Sequence, residues 1–237
     1  RAAGVVYDLD HGGGLFTLRT NRERGDFSVF VAKVPGLPPE RWRPIGPRGG
    51  GVFVERMTAF RRHVVLAERR RGRLRLRVLS PADGRCRILR FPDPVCEAWV
   101  EPVPGMSGRT ARIGYTSLLT PLTYYDGDLD SGHLRRVQQE QVPGYRPRDY
   151  TMWQGWASAR DGARIPFTAV RRRRHGPRCA GPALVFAYGA YGTNMPPWFD
   201  EARLPLLDRG FIYVLAHIRG GSELGQAWYE AGRGARK

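Results

Sequence analysis

Lysine is nearly missing from this 237-residue sequence. Only Lys33 and Lys237 carry it, so the other 37 basic residues are arginine, and against 22 acids they give a formal charge of +17. So one-sided a bias reflects codon composition more than a binding surface. The two arginine runs, Arg69-Arg70-Arg71 and Arg171 to Arg174 before His175, read as solvated loops between strands. No aromatic residues interleave with them as in RNA-reading modules, so no specific nucleic-acid partner is expected. Cysteine is scarce too. Cys86, Cys96 and Cys179 are odd in number and widely spaced, which excludes a disulfide framework and a CxxC metal pair and points to a reducing, cytoplasmic setting. No apolar run approaches 18 residues, so no membrane span is expected. No histidine pair has ligand spacing, so neither metal nor cofactor is implied. An initiator Met is lacking, and Lys237 does not read as an ending.

Helical spacing is also absent from the first 150 residues, which read as β throughout. Leu15–Leu18, Val64–Ala67 and Ile113–Thr116 are short apolar segments, each leading through a polar stretch to a second strand. Those second strands are Phe27 to Val34, Leu74 to Leu79 and Leu122 to Tyr125. The first strands recur at roughly 49 residues, the period of a β-propeller blade. Ala82-Asp83-Gly84-Arg85 and Asp130-Ser131-Gly132-His133 supply hairpin chemistry. His11-Gly12-Gly13-Gly14 mimics a lipase oxyanion motif but stands before a propeller strand, so it reads as a turn. Three blades do not close a ring, and both ends of such an array should be bare.

A boundary is expected near Pro143 to Asp149, where Val142 to Pro147 reads as a linker. Beyond it, Trp153 to Ala159 and Arg164 to Val170 flank Asp161-Gly162 as a hairpin. Leu184-Val185-Phe186 and Phe211 to Ile218 have strand length and composition, with helix-like spacing over Pro197 to Arg209 between them. Arg219-Gly220-Gly221 breaks the second strand, and a helix is expected over Glu223 to Ala231. A strand, a crossover and a further strand of this kind belong to an α/β sheet. The expected fold is therefore a β-propeller part of about three blades, followed by the start of an α/β sheet.

These residues carry a resemblance. YTSLLTPLTYYDGDLDSGH (115–133), the ARDG-x-x-IP hairpin within residues 142–170, LVFAYGAYG (184–192) and LLDRGFIYVLAHIRGGSELGQAWYEAG (206–232) resemble the prolyl oligopeptidase family of serine peptidases, and its oligopeptidase B branch most. The likeness runs nearly end to end. It implies a seven-bladed propeller capping an α/β-hydrolase domain and limiting access to short peptides. Residues 1–145 would be the C-terminal part of that propeller and 146–237 the incomplete N-terminal part of the catalytic domain.

The family's nucleophile sits on a G-x-S-x-G elbow, with Asp and His later in the chain. Ser222, in Gly220-Gly221-Ser222-Glu223-Leu224-Gly225, has its last glycine one residue too late, and Ser107 fails in the propeller part. The elbow, acid and base are expected beyond Lys237, so the chain reads as a fragment inactive alone. The resemblance assigns one site residue here. Tyr188 matches the tyrosine whose hydroxyl joins the oxyanion hole, while Tyr191 is structural. The branch's basic subsite uses a pair of acids just past this segment. Here Asn194-Met195-Pro196-Pro197-Trp198 has none before Asp200, so substrate-binding residues and a preference for basic residues stay open. The rival classes are a non-catalytic propeller interaction protein and a basic nucleic-acid-binding protein.

Overall fold

The computed structural model describes residues 3–34, 36, 38, 41–47, 50–103, 108–173 and 181–236. Ser107, Arg174, His175, Cys179 and Lys237 lie outside them. The chain divides into two compact units. One comprises Arg1–Arg90, Ala98–Gly114 and Tyr124–Val137; the other comprises Phe91–Glu97, Tyr115–Thr123 and Gln138–Lys237. Among the described residues no helix is long and apolar enough to cross a membrane.

Three four-stranded sheets follow one another, each a meander in chain order. The first is β1 (Tyr7–Gly12), β2 (Leu15–Thr20), β3 (Ser28–Ala32) and β4 (Arg43–Pro44). The second is β5 (Phe53–Ala59), β6 (Val64–Arg70), β7 (Arg73–Leu79) and β8 (Cys86–Ile88). The third is β9 (Glu97–Glu101), β10 (Thr110–Thr116), β11 (Thr123–Asp128) and β12 (Leu134–Gln139). Repeated four-stranded meanders are propeller blades. The segments expected to open each blade, at Leu15, Val64 and Ile113, are its second strands. β1, β5 and β9 precede them and escape an apolar-run criterion, because YDLDHG, FVERMTA and EAWVE mix charged with apolar residues.

Local chemistry explains the turns. Gly12 pairs with Leu15, which leaves Gly13 (φ 57°) and Gly14 (φ 80°) as a two-residue hairpin loop with both φ positive. That conformation suits the right-handed twist of its strands and excludes most side chains. The HGGG motif is thus a turn. Strands β3, β5 and β6 contribute Val29, Phe53, Val54, Val64 and Leu66 to one buried apolar cluster with Phe27 and Leu79. Inside the second blade Glu68 is wholly buried and ion-paired to Arg75 and Arg77. The first arginine run is not simply solvated: Arg69 is buried and donates to Glu55 at 2.8 Å, whereas Arg71 occupies a positive-φ turn.

The fourth sheet has a different order. It runs β13 (Tyr150–Ser158), β14 (Arg164–Arg172), β16 (Ile212–Ala216), β15 (Ala183–Ala187). β13 and β14 form the expected hairpin, while β15 and β16 pair in parallel, the signature of a crossover between strands of one sheet. Leu118, Tyr150, Val170, Leu207, Tyr213 and Leu215 make the core of this unit. The crossover helix is shorter than the spacing over Pro197 to Arg209 predicts. α1 covers Leu204–Asp208 after a 3₁₀ turn at Glu201–Arg203, whose first turn Asp200 caps by accepting from Ala202 N at 3.0 Å. Pro205 sits in the first turn of α1, where its missing N–H costs no helical bond. Gly210, at φ 92°, follows the helix end. The last helix is also shorter than expected: α2 spans Gln226–Glu230, because Ser222 and Glu223 serve another purpose.

Candidate active site

Strand β15 delivers Tyr188 to its C-terminal end. The side chain of Tyr188 is 44% exposed. Gly189 follows at φ 62°, and a Cβ there would lie 2.4 Å from Ile218 Cγ1 and 2.7 Å from the Arg219 carbonyl oxygen. Opposite it, Gly220 has φ 96°, and a Cβ on Gly220 would lie 2.0 Å from the Gly189 carbonyl oxygen. The peptide after Tyr188 and the turn after β16 therefore approach backbone to backbone. Only glycine permits that closeness at these φ values.

The rest of the 189–195 segment is tied to the same turn. Gly192 N donates to the Gly220 carbonyl at 2.9 Å. Ser222 Oγ donates to the Gly192 carbonyl at 2.7 Å, and Ser222 N donates to Asn194 Oδ1 at 3.1 Å. Met195 N donates to Glu223 Oε1 at 3.0 Å. Ser222 is buried with its hydroxyl spent on a backbone carbonyl, so it behaves as a tether and not as a free nucleophile. Tyr191, at φ 56° and 86% exposed, projects from the loop tip.

Beneath the turn lies a group that sequence reasoning missed. His217 and Glu223 are almost fully buried, with Nδ1 of His217 3.6 Å from Glu223 Oε1. The other ring nitrogen, Nε2, is 3.1 Å from Thr168 Oγ1. At that distance Nδ1 makes no hydrogen bond, and neither it nor Glu223 Oε2 has a hydrogen-bond partner among the described residues. Nothing in local patterning could have disclosed it, since Thr168 is 49 residues from His217 and Met195 is 28 from Glu223. Among the described residues no group of three His, Cys, Asp or Glu side chains is arranged to hold a metal ion.

The geometry is thus a parallel strand pair whose carboxyl edge carries a hydroxyl on a glycine-flanked, tethered loop. In open α/β sheets that edge is where ligands bind. A preorganised O–H donor there can stabilise an oxyanion.

Known proteins share this arrangement. Residues 1–140 match the family model described as the prolyl oligopeptidase N-terminal beta-propeller domain, and residues 197–237 match that of the prolyl oligopeptidase family. The chain is 36% identical over 235 residues to a dipeptidyl aminopeptidase BI of Pseudoxanthomonas mexicana, covering 98% of this chain and 32% of that protein. It is 30% identical to a protease 2 of Moraxella lacunata, covering 98% of this chain and 33% of that protein. The solved structure of oligopeptidase B from Leishmania major superposes with a TM-score of 0.84 at 31% identity, over 98% of this chain and 34% of that one. The chain therefore spans about a third of the length of the relatives it matches. With blades, parallel strand pair and both family models in agreement, the chain belongs to the prolyl oligopeptidase family.

Proposed function

We propose that the protein is a serine peptidase that hydrolyses peptide bonds in short peptides through an acyl-enzyme, with the Tyr188 hydroxyl as one donor to the oxyanion. In this reading residues 1–145 are the C-terminal part of a seven-bladed propeller and residues 146–237 the N-terminal part of an α/β-hydrolase domain. The observation that carries it is the position of Tyr188. It follows the last residue of a strand paired in parallel, stays accessible, and is held from behind by the Gly189–Gly220 contact. Acyl transfer builds negative charge on the carbonyl oxygen, and a fixed donor gains strength as that charge develops. The sequence contains no G-x-S-x-G, so residues 1–237 by themselves are inactive in this proposal. Preference for basic residues at the cleavage site is not part of it, since no acid stands between Tyr191 and Asp200.

The test uses Tyr188→Phe in the full-length protein, which removes one hydroxyl and leaves the ring. The bond forms fully only in the transition state, so kcat should fall on the order of 10²- to 10³-fold with KM little changed. The 237-residue chain serves as the blank that no fluorophosphonate probe labels. An unchanged kcat in the Phe variant rules out the oxyanion role, and stoichiometric labelling of the blank rules out the missing-nucleophile reading.

A further inference from the structure

A small polar cavity lies within the first compact unit. It has a volume of about 250 Å³ and opens among the β5–β6, β7–β8 and β11–β12 turns, lined chiefly by Arg62, His63, Asp83, Arg85, Arg87 and Asp130. Its acids are already engaged. Asp83 accepts from the Arg85 backbone N at 3.1 Å and faces Arg85 Nε at 3.3 Å. Asp130 faces His63 Nε2 at 3.0 Å and Arg109 Nε at 3.1 Å.

Two cations are left over. The guanidinium groups of Arg62 and Arg87 have neither an ion pair nor a hydrogen bond among the described residues. Arg62 is exposed, but Arg87 is half-buried, its side chain laid against Gly132, where a Cβ would come 3.1 Å from Arg87 Cδ. A guanidinium withdrawn partly from water without an acceptor is unfavourable unless something supplies one. His63 lines the same cavity. It is 5% exposed, and its Nδ1 has no hydrogen-bond partner among the described residues. Buried polar atoms without partners are uncommon enough to call for an explanation.

We propose that this cavity binds a small phosphoryl anion, either inorganic phosphate or the phosphate of a monoester. The planar guanidinium forks of Arg62, Arg85 and Arg87 offer more donors than Asp83 can use, and tetrahedral phosphate oxygens accept from several forks at once. The cavity has room for one phosphate and bridging water but not for a nucleic-acid backbone. Occupancy would tie the β5–β6 turn to the β7–β8 turn and β8 of the second blade through a shared anion. The site is independent of the peptidase reading and of Tyr188.

The experiment measures binding of inorganic phosphate and of glycerol phosphate to the full-length protein by calorimetry at constant ionic strength, with thermal unfolding in parallel. Saturable binding of one equivalent is expected, with a rise in melting temperature that follows saturation. Arg87→Ala should weaken it about 10- to 100-fold, and Arg87→Lys, which keeps the charge but not the fork, should weaken it less. Arg164→Ala, an exposed arginine in the other unit, should change nothing. Binding of inorganic phosphate alone identifies a free-ion site, and tighter binding of the ester identifies a metabolite phosphate; either supports the proposal. The proposal is overturned if no saturable binding appears, if sulfate and chloride at equal ionic strength displace phosphate equally well, or if correctly folded Arg87→Ala binds like the parent.

Discussion

Replacing Glu68 by alanine tests the energetics of the second blade. Glu68 is fully buried, directly across β6 and β7 from Arg75, and diagonal to Arg77. Its Oε1 accepts from Arg75 NH2 at 2.6 Å and from Arg77 NH2 at 2.9 Å, and its Oε2 accepts from Arg77 Nε at 2.8 Å. The hydrogen bond to Glu68 is the main reason the Arg77 guanidinium holds its proton more tightly than usual. Removing one partner of a buried pair costs about 3–5 kcal/mol, because the other charge is left without compensation. Here the arginine side chains keep some exposure, 27% for Arg75 and 18% for Arg77, so they can partly rehydrate. The expected loss is therefore about 3 kcal/mol, at the lower end of that range. A domain holds only about 5–15 kcal/mol in total, so the change should be large in urea unfolding followed by far-ultraviolet circular dichroism. The triple replacement Glu68→Leu, Arg75→Leu, Arg77→Met removes both signs together and should recover most of the loss. A Glu68→Ala cost below about 1 kcal/mol would refute the argument, since exposed pairs alone contribute that little.

Two further outcomes are expected. Gly220→Ala places a Cβ 2.0 Å from the Gly189 oxygen at φ 96°, so the segment behind Tyr188 must shift; kcat of the full-length protein should fall about 10²-fold, whereas Gly50→Ala, with open space at its Cβ position and no positive φ, should leave kcat intact, and equal kcat in both variants would sink the tether argument. Burial, and then the hydrogen bond to Asp208, push the Tyr150 phenol up from 10.0 to about 12. Because the folded state holds this proton more tightly, its contribution is full below pH 10 and is lost as pH rises toward about 12. Tyr150→Phe should flatten the fall of melting temperature across that window, and an unchanged fall would assign it to other tyrosines.

The strands that sequence alone discloses are those with regularly spaced apolar residues. Ile165, Phe167 and Ala169 alternate along β14, and glycines with positive φ mark the turns before any contact is known. β1, β5 and β9 hide because their residues mix charge with apolar surface, so no run of either kind stands out. The start of α2 was misjudged for a tertiary reason. Ser222 and Glu223 have ordinary helix-opening character, yet they fasten residues 192–195, and the helix waits until Gly225 has turned the chain. The place of Tyr188 just after a strand was legible in LVFAYGAYG. The tether that holds its loop was not, since Gly189 and Gly220 reveal their contact only once β15 and β16 lie side by side.

The strand order of the hydrolase sheet also has a consequence for the order of events on the ribosome. β14 and β15 are neighbours in the chain, but β16 lies between them in the sheet. While Leu184, Val185 and Phe186 emerge, β16, the strand they pair with among the described residues, has not yet been made. From Ala187 to Ala216 the ribosome needs about 2 to 6 s at ordinary elongation rates. Through that interval an apolar segment of high β-propensity has neither strand partner nor cover, the condition under which nascent chains associate wrongly. Slower translation of residues 188–211 lengthens the exposure, and a chaperone that recognises short apolar segments would act there first.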